Sequence, residues 1–409
     1  MDFRIEDFGA KGDGKTLNTT AIQAAVDACT AAGGGRVIVA NGTYTTGTLI
    51  LKQNVELHIE TNGCIQGSPD CYDYPEFEKR HVCAAMLPRM RGAALIYAEE
   101  CDNIAITGNG RIDGNGAAFV RPIDKAAGAR WAYERIDAPT PPRVVFFAGC
   151  KNVRIEDVTM INQPAGWSYW IHDCDFVKFD GIHVLADVEY PNNDGIHINS
   201  CRNVTISNCI ITCGDDAIVV RANNISLSEN KICEKVTVTN CSLTSYSSGI
   251  RLGWINDGVI RNCTFSNIVM TDTTYGIQIA LPGRGETQLS DEGREDTLIE
   301  HISFSNIVMD RIFTNPVRIL IDDHPATHCK AVRNLYFDGL HATCRYFNHL
   351  QGRADCRLSN IVFSNCSFEK IAEDKLKIDA MQIPNPFCTG GILFADNVVY
   401  NNSSFSSEI

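Results

Sequence analysis

A phrase of the form Asn-hydrophobic-x-hydrophobic returns along most of this chain and restricts its fold more than any other feature. It reads Asn103-Ile104-Ala105-Ile106, Asn152-Val153-Arg154-Ile155, Asn203-Val204-Thr205-Ile206, Lys235-Val236-Thr237-Val238, His301-Ile302-Ser303-Phe304, Asn334-Leu335-Tyr336-Phe337 and Asn360-Ile361-Val362-Phe363. Alternation with a period of two describes a strand with one buried face. The spacing, 24 residues from Val153 to Val177 and 27 from Val177 to Val204, makes each strand a rung of a solenoid. The expected fold is all-β: a right-handed parallel β-helix forming a single domain over residues 1–409. A second phrase, at Ser207-Asn208-Cys209, Thr239-Asn240-Cys241, Arg261-Asn262-Cys263 and Ser364-Asn365-Cys366, marks a turn, because Asn tolerates the left-handed backbone a tight corner needs.

A solenoid needs a lid, since its first rung otherwise exposes the apolar interior and a pairing edge. Residues 20–32 supply one as a short N-terminal capping helix after Asn18-Thr19-Thr20, stopped by Gly33-Gly34-Gly35; a strand begins at Arg36, and the cap spans about residues 1–40. Three segments, 71–92, 119–142 and 282–297, escape the repeat. Long excursions on a rigid scaffold commonly wall a binding site, although the polar 282–297 segment reads equally as a disordered loop.

Composition narrows the function classes. The chain has 409 residues and no apolar run long enough to span a membrane. Met1-Asp2-Phe3-Arg4-Ile5-Glu6-Asp7 shows no basic segment followed by an apolar one, so a cytoplasmic placement is expected unless a leader has been trimmed away. Of the 18 Cys, seven (Cys150, Cys174, Cys201, Cys209, Cys241, Cys263 and Cys366) are read as one phase of the repeat, stacked inside as small apolar groups and kept as reduced thiols. No CxxC pair and no completing His point to a metal, and neither metal nor cofactor is expected. A net charge of −13 without a basic run argues against nucleic acid. It is also awkward for a polyanionic substrate, unless Arg or Lys side chains compensate within a cleft.

The chemistry concentrates between residues 192 and 216. Asn192-Asn193-Asp194-Gly195 is followed one rung later by Cys213-Gly214-Asp215-Asp216. An isolated Asp-Asp pair is commonly a solvated turn. Three carboxylates crowded on adjacent rungs instead push one pKa up and leave another ionised, as acid/base hydrolysis of a glycosidic bond requires.

With these residues the chain resembles the polygalacturonase family of pectin-degrading glycosidases, glycoside hydrolase family 28. The opening Asp7-Phe8-Gly9-Ala10-Lys11-Gly12-Asp13-Gly14, the Gly33-Gly34-Gly35 turn, Thr46-Gly47-Thr48-Leu49 and Gly67-Ser68-Pro69-Asp70 are similar to its N-terminal pattern. Pectate lyases and tailspike-like proteins share comparable openings, so the Asn192, Asp194, Gly195 motif with Gly214-Asp215-Asp216 is the sharper part. The resemblance implies inverting hydrolysis, with Asp215 as general acid and Asp194 and Asp216 positioning and deprotonating water.

Three further positions depart from the family. Tyr246-Ser247-Ser248-Gly249 stands where Gly-His-Gly is expected, placing Ser247 or Ser248 at the His, an absence shared with rhamnogalacturonan hydrolases. Gln278 and Ala280 replace the Arg and Lys that grip a uronate carboxylate, and His197 replaces a second Asp. Arg251 and Arg318 point outward by alternation and are candidates to restore a cationic subsite. His197 is expected two rungs' breadth from the acid pair, within reach of a sugar hydroxyl. Asn192, Gln278, Ser247 and Ser248 complete the substrate-binding candidates with Trp254, preferred over Trp131, Trp167, Tyr169 and Trp170 as a sugar-stacking platform. The expected partner is an oligosaccharide related to galacturonan or rhamnogalacturonan, cleaved from one end. A neutral-sugar glycosidase, a lyase and a non-catalytic carbohydrate-binding solenoid are the alternatives.

Overall fold

A computed structural model describes residues 1–76, 94–124, 131–137, 143–255, 257–282, 296–325, 327–372, 376 and 390–407. The repeat is realised as a right-handed parallel β-helix. Among the described residues one face is an eleven-stranded sheet: Leu49–Ile50, Ile96–Glu99, Arg143–Ala148, Trp167–His172, Ile196–Asn199, Ile218–Arg221, Ser248–Leu252, Tyr275–Leu281, Val317–Ile321, His349–Gln351 and Gly391–Leu393. A second parallel system of 22 strands forms the remaining wall. Register follows the sequence phrase: Val153 pairs with Val177, Val177 with Val204, Val204 with Val236 and Val236 with Cys263.

The corners are where Asn was expected to matter. Asn103, Asn152, Asn203, Lys235, His301, Asn334 and Asn360 all have φ between 55° and 57°. Asn208, Asn240, Asn262 and Asn365 are also left-handed, at 54–58°. Asn262, however, is paired one rung from Lys235 and so belongs to the first phrase, not the second. Exposed amides bridge successive corners, with Asn152 donating to Asn103 (3.0 Å) and Asn103 to Asn54 (2.8 Å).

Helix α1 (Thr19–Ala31) buries Ile22, Ala25, Val26 and Cys29 against the first rungs. The Asn18 side chain does not cap it; its Oδ1 accepts instead from the Lys11 N–H at 2.7 Å. Inside the solenoid the cysteines form separate files, not one phase. Cys150, Cys174 and Cys201 stack through N–H···S contacts of 3.3 and 3.4 Å, whereas Cys209 and Cys241 share a different corner. These are free thiols, but Cys329 and Cys356, on neighbouring rungs, are joined as a disulfide, a departure from the all-thiol expectation. The two sulfurs meet because the rungs carrying them are adjacent in register. No helix among the described residues is long and apolar enough to cross a membrane.

Of the three excursions, 119–142 yields a hairpin in which Val120–Pro122 runs antiparallel to Tyr133–Arg135. Most of 71–92 and 282–297 lies outside the described residues.

A second internal file is aromatic. Phe265, Phe304, Phe337, Phe363 and Tyr400 stack face to face with centroids 4.5–4.9 Å apart and planes within 14° of parallel. Phe337 is at its centre and 1% exposed, while its neighbour Tyr336 is 46% exposed. Phe337→Ala is therefore expected to cost about 3–5 kcal/mol in urea unfolding, and Tyr336→Ala no more than about 0.5 kcal/mol. Equal costs would show that the stacked file does not carry the core.

Candidate active site

The strand Ile196–Asn199 is entered through Asn192, whose φ of 56° swings the chain onto the sheet, and through Gly195. A Cβ at Gly195 would lie 2.3 Å from the Ala217 carbonyl oxygen, and one at Gly214 would lie 2.4 Å from that of Tyr190. Glycine at both places lets two rungs close on one another, and the carboxylates are brought in with them. Asn193 fastens the junction, its Oδ1 accepting from Gly214 N–H (2.6 Å) and its Nδ2 donating to Asp187 O (2.7 Å).

Asp194, Asp216 and Ser248 occupy successive rungs: Gly195 N–H donates to Asp216 O at 3.0 Å and Ala217 N–H to Ser248 O at 2.8 Å. Asp194 and Asp216 are buried; Asp215 is half-buried, and its Oδ1 accepts from Asp216 N–H at 3.1 Å. Asp216 is held at both oxygens. Its Oδ1 accepts from Ser248 N–H (3.0 Å) and its Oδ2 from Arg251 Nη1 (3.1 Å), a charge-assisted pair. Burial lifts the Asp194 carboxyl well above the usual carboxylate range, the charges of Asp215 and Asp216 lift it further, and Arg143 opposes them.

Beside this runs a file of outward-facing residues in register: Trp170, His197, Val219, Arg251, Gln278, Arg318 and His349. His197 is one rung, not two, from the Asp215-Asp216 pair, since its strand pairs directly with Ile218–Arg221. It is three residues past Asp194, with Nδ1 3.8 Å from Asp194 Oδ2, because the strand begins immediately after the Asp-Gly step. Burial, then the charges of Arg221, Arg143 and Arg251, push its imidazole well below the ordinary value, so this contact is not an ion pair. Trp167 stacks on the ring at 3.8 Å, and the Arg143 guanidinium covers Trp167 at 3.7 Å.

Gln278 accepts from Ser248 Oγ at 2.7 Å, and the Ser247 N–H is tied to Ser245 Oγ at 2.9 Å. The Arg251 guanidinium lies 4.1 Å from the Trp254 ring centre, so that face of the indole is covered by a cation, unlike the open sugar platform expected there. Trp131 is likewise committed, donating from Nε1 to Gly214 O at 2.8 Å. Trp170 and Tyr169 are buried, Trp170 against Phe146 at 4.1 Å and Tyr169 against Phe179 at 5.4 Å. Sequence reasoning missed Arg135 and Arg143. Arg135 reaches from the excursion hairpin to Asn192 Oδ1 and, at 2.7 Å, to Ala165 O. Arg143 heads an otherwise apolar strand, and a cation opening a buried run was the available signal. Among the described residues no group of three or more His, Cys, Asp or Glu is placed to hold a metal ion.

Residues 85–335 match the family model described as glycosyl hydrolases family 28, and residues 3–83 match one described as rhamnogalacturonase A/epimerase, pectate lyase-like. The chain belongs to glycosyl hydrolases family 28. A probable polygalacturonase of Vitis vinifera is 29% identical over 69% of the chain and 57% of the relative. An exopolygalacturonase of Arabidopsis thaliana is 27% identical over 78% and 66%. An exo-poly-alpha-D-galacturonosidase of Dickeya chrysanthemi is 29% identical over 52% and 41%. The chain thus spans less than two thirds of these relatives' lengths. In fold it is similar to a hyperthermoactive exopolygalacturonase from Thermotoga maritima, with a TM-score of 0.74 and 24% identity over 98% of this chain and 92% of the other. An endo-xylogalacturonan hydrolase from Aspergillus tubingensis gives 0.68 and 17% over 98% and 100%.

Because the Asp194 carboxyl is raised in the folded state, its contribution to stability is full below the unfolded value near 4 and is lost as pH rises through the folded value. The stability of Asp194→Asn relative to wild type is therefore expected to improve from about pH 4 upward by about 1.4 kcal/mol per pH unit until the folded value is passed. Urea unfolding at three pH values reads this directly, and a difference independent of pH would contradict the buried-carboxyl assignment.

Proposed function

We propose that this chain is an inverting glycoside hydrolase that acts from one end of a pectin-related oligosaccharide. The observation that carries the reading is the Asp trio on adjacent rungs, flanked by the buried Arg143 and the partly buried Arg251. Asp215, the half-buried member, donates a proton to the leaving oxygen. Asp216 deprotonates the attacking water, its two oxygens oriented by Ser248 N–H and Arg251. Asp194, whose carboxyl is raised by burial, positions that water beside His197. Arg251 acts through Asp216 and borders the sugar without being its principal ligand. Cleavage from one end is supported by relatives named exopolygalacturonase and exo-poly-alpha-D-galacturonosidase. A cytoplasmic placement draws support from the free thiols, while the Cys329–Cys356 disulfide weighs against it.

Oligogalacturonides, rhamnogalacturonan fragments and neutral aryl glycosides, followed by mass spectrometry and by NMR of the anomeric proton, test the reading. Wild type is expected to release single uronate units of inverted configuration, and Asp215→Asn to lose about 10²–10⁴-fold in kcat. A 4,5-unsaturated product would establish a lyase, and cleavage of the neutral glycosides alone would establish the neutral-sugar alternative.

A further inference from the structure

The outward file continues past the catalytic rungs. Three steps beyond Val219, which lies on the strand that Asp216 leads into, stands Arg318, and the next step is His349. At about 4.8 Å per step, Arg318 is about 14 Å along the groove from that rung. Both residues are nearly sealed, at 8% and 5% exposure. A guanidinium so buried ordinarily meets a carboxylate or a set of acceptors. Arg318 has neither among the described residues: its Nε is without a partner, and its contact is with the Tyr275 ring, 5.1 Å from the centroid.

His349 is complementary. Its Nε2 is 3.1 Å from Gln351 Oε1, an acceptor, so the ring proton sits on Nε2 and Nδ1 is left as a buried acceptor without a partner. Burial and the neighbouring Arg318 both push the imidazole below its ordinary value, which keeps that lone pair free. Next to Arg318 on the other side, Gln278 spends its oxygen on Ser248 Oγ and keeps its amide protons.

The geometry points to a distal uronate subsite, in which Arg318 takes a sugar carboxylate through charge-assisted hydrogen bonds and His349 Nδ1 accepts from a hydroxyl of the same ring. A lone anion would use only Arg318; a hydroxy acid uses both groups. The separation exceeds one pyranose ring, so the unit bound here is not the one cleaved at the Asp trio but another farther along the chain. The inference rests on the hydrolase reading and adds to it the charge and length of the oligosaccharide selected. It also places the cation that Gln278 and Ala280 no longer supply one rung farther on.

Binding of trigalacturonate to Asp215→Asn protein, by calorimetry, tests the subsite without turnover. Adding Arg318→Gln is expected to weaken it about 10–100-fold, with galactotriose, the neutral trisaccharide, unaffected and Arg318→Lys partly restoring affinity. In the active enzyme Arg318→Gln is expected to raise KM for trigalacturonate by a similar factor while kcat stays within about twofold, as lost ground-state binding requires. Unchanged trigalacturonate affinity, or an equal loss for galactotriose, would overturn the subsite. Should Arg318→Gln melt early, trigalacturonate carboxyl-reduced at single positions reports from the ligand side: equal affinity for every reduced form would overturn it equally. Failure of the hydrolase reading looks different, since wild type would then hydrolyse none of these compounds, whether it left them intact or released a 4,5-unsaturated product, whatever Arg318 does.

Discussion

One left-handed residue per corner, tied to the next corner by a side-chain amide toward both ends of the solenoid, is the constraint on which the rest of this molecule depends. Asn397 donates to Asn360 (3.2 Å) and Asn360 to Asn334 (3.1 Å), continuing at one end what Asn152, Asn103 and Asn54 do at the other. A parallel pairing slipped by one residue would send every inward side chain to the outside. The corner files prevent that slip, because each amide finds its neighbour only in the native register. The thiol and aromatic files inside and the site file outside are consequences of the same alignment, since residues equivalent in successive rungs must stack.

That alignment explains how a chain of net charge −13 concentrates positive charge at one place. Net charge is spread over the whole surface, whereas the site file gathers Arg251 and Arg318 onto nearby rungs, with Arg143, Arg135 and Arg221 close by. Arg221 is neutralised by Asp257, whose carboxylate it meets at 2.7 and 2.9 Å, and Arg251 by Asp216. What remains for a ligand is local. Buried cations act through low-dielectric surroundings, where attraction falls off less than it does across solvent. The same surroundings make three neighbouring carboxylates expensive to ionise together, so one proton is retained among them at pH values where an isolated Asp is fully charged.

The fold and the Asp trio were legible because both are written in local spacing. Period-two alternation, the rung length and the left-handed Asn corners need no knowledge of distant residues. Outward-pointing Arg251 and Arg318 followed from alternation too. What alternation does not carry is which outward residues share a file when rung length varies: 24 residues separate Val153 from Val177, but 39 separate Cys263 from Ile302. For that reason His197 was expected two rungs from the Asp215-Asp216 pair but stands one rung away, the cysteines were merged into one phase, and Asn262 was given to the wrong corner. Arg135 was invisible for another reason. It lies on an excursion whose direction is fixed by its own hairpin and by Asn192, not by the repeat.

The departures from the family pattern are connected through a single chain of contacts. Ser248 N–H holds Asp216 Oδ1, Ser248 Oγ donates to Gln278 Oε1, and Arg251 holds Asp216 Oδ2. With Ser248 in the place where the resemblance leads one to expect His or its neighbour, the adjacent rung must present an acceptor to the hydroxyl. An Arg at position 278 offers only donors and would leave that buried hydroxyl without its acceptor. Gln satisfies it, at the cost of the cation. Losing the cation there and finding one at Arg318, in the same file and without an anion of its own, are two parts of one rearrangement: the site keeps a positive charge facing the groove but carries it one rung farther from the carboxylates.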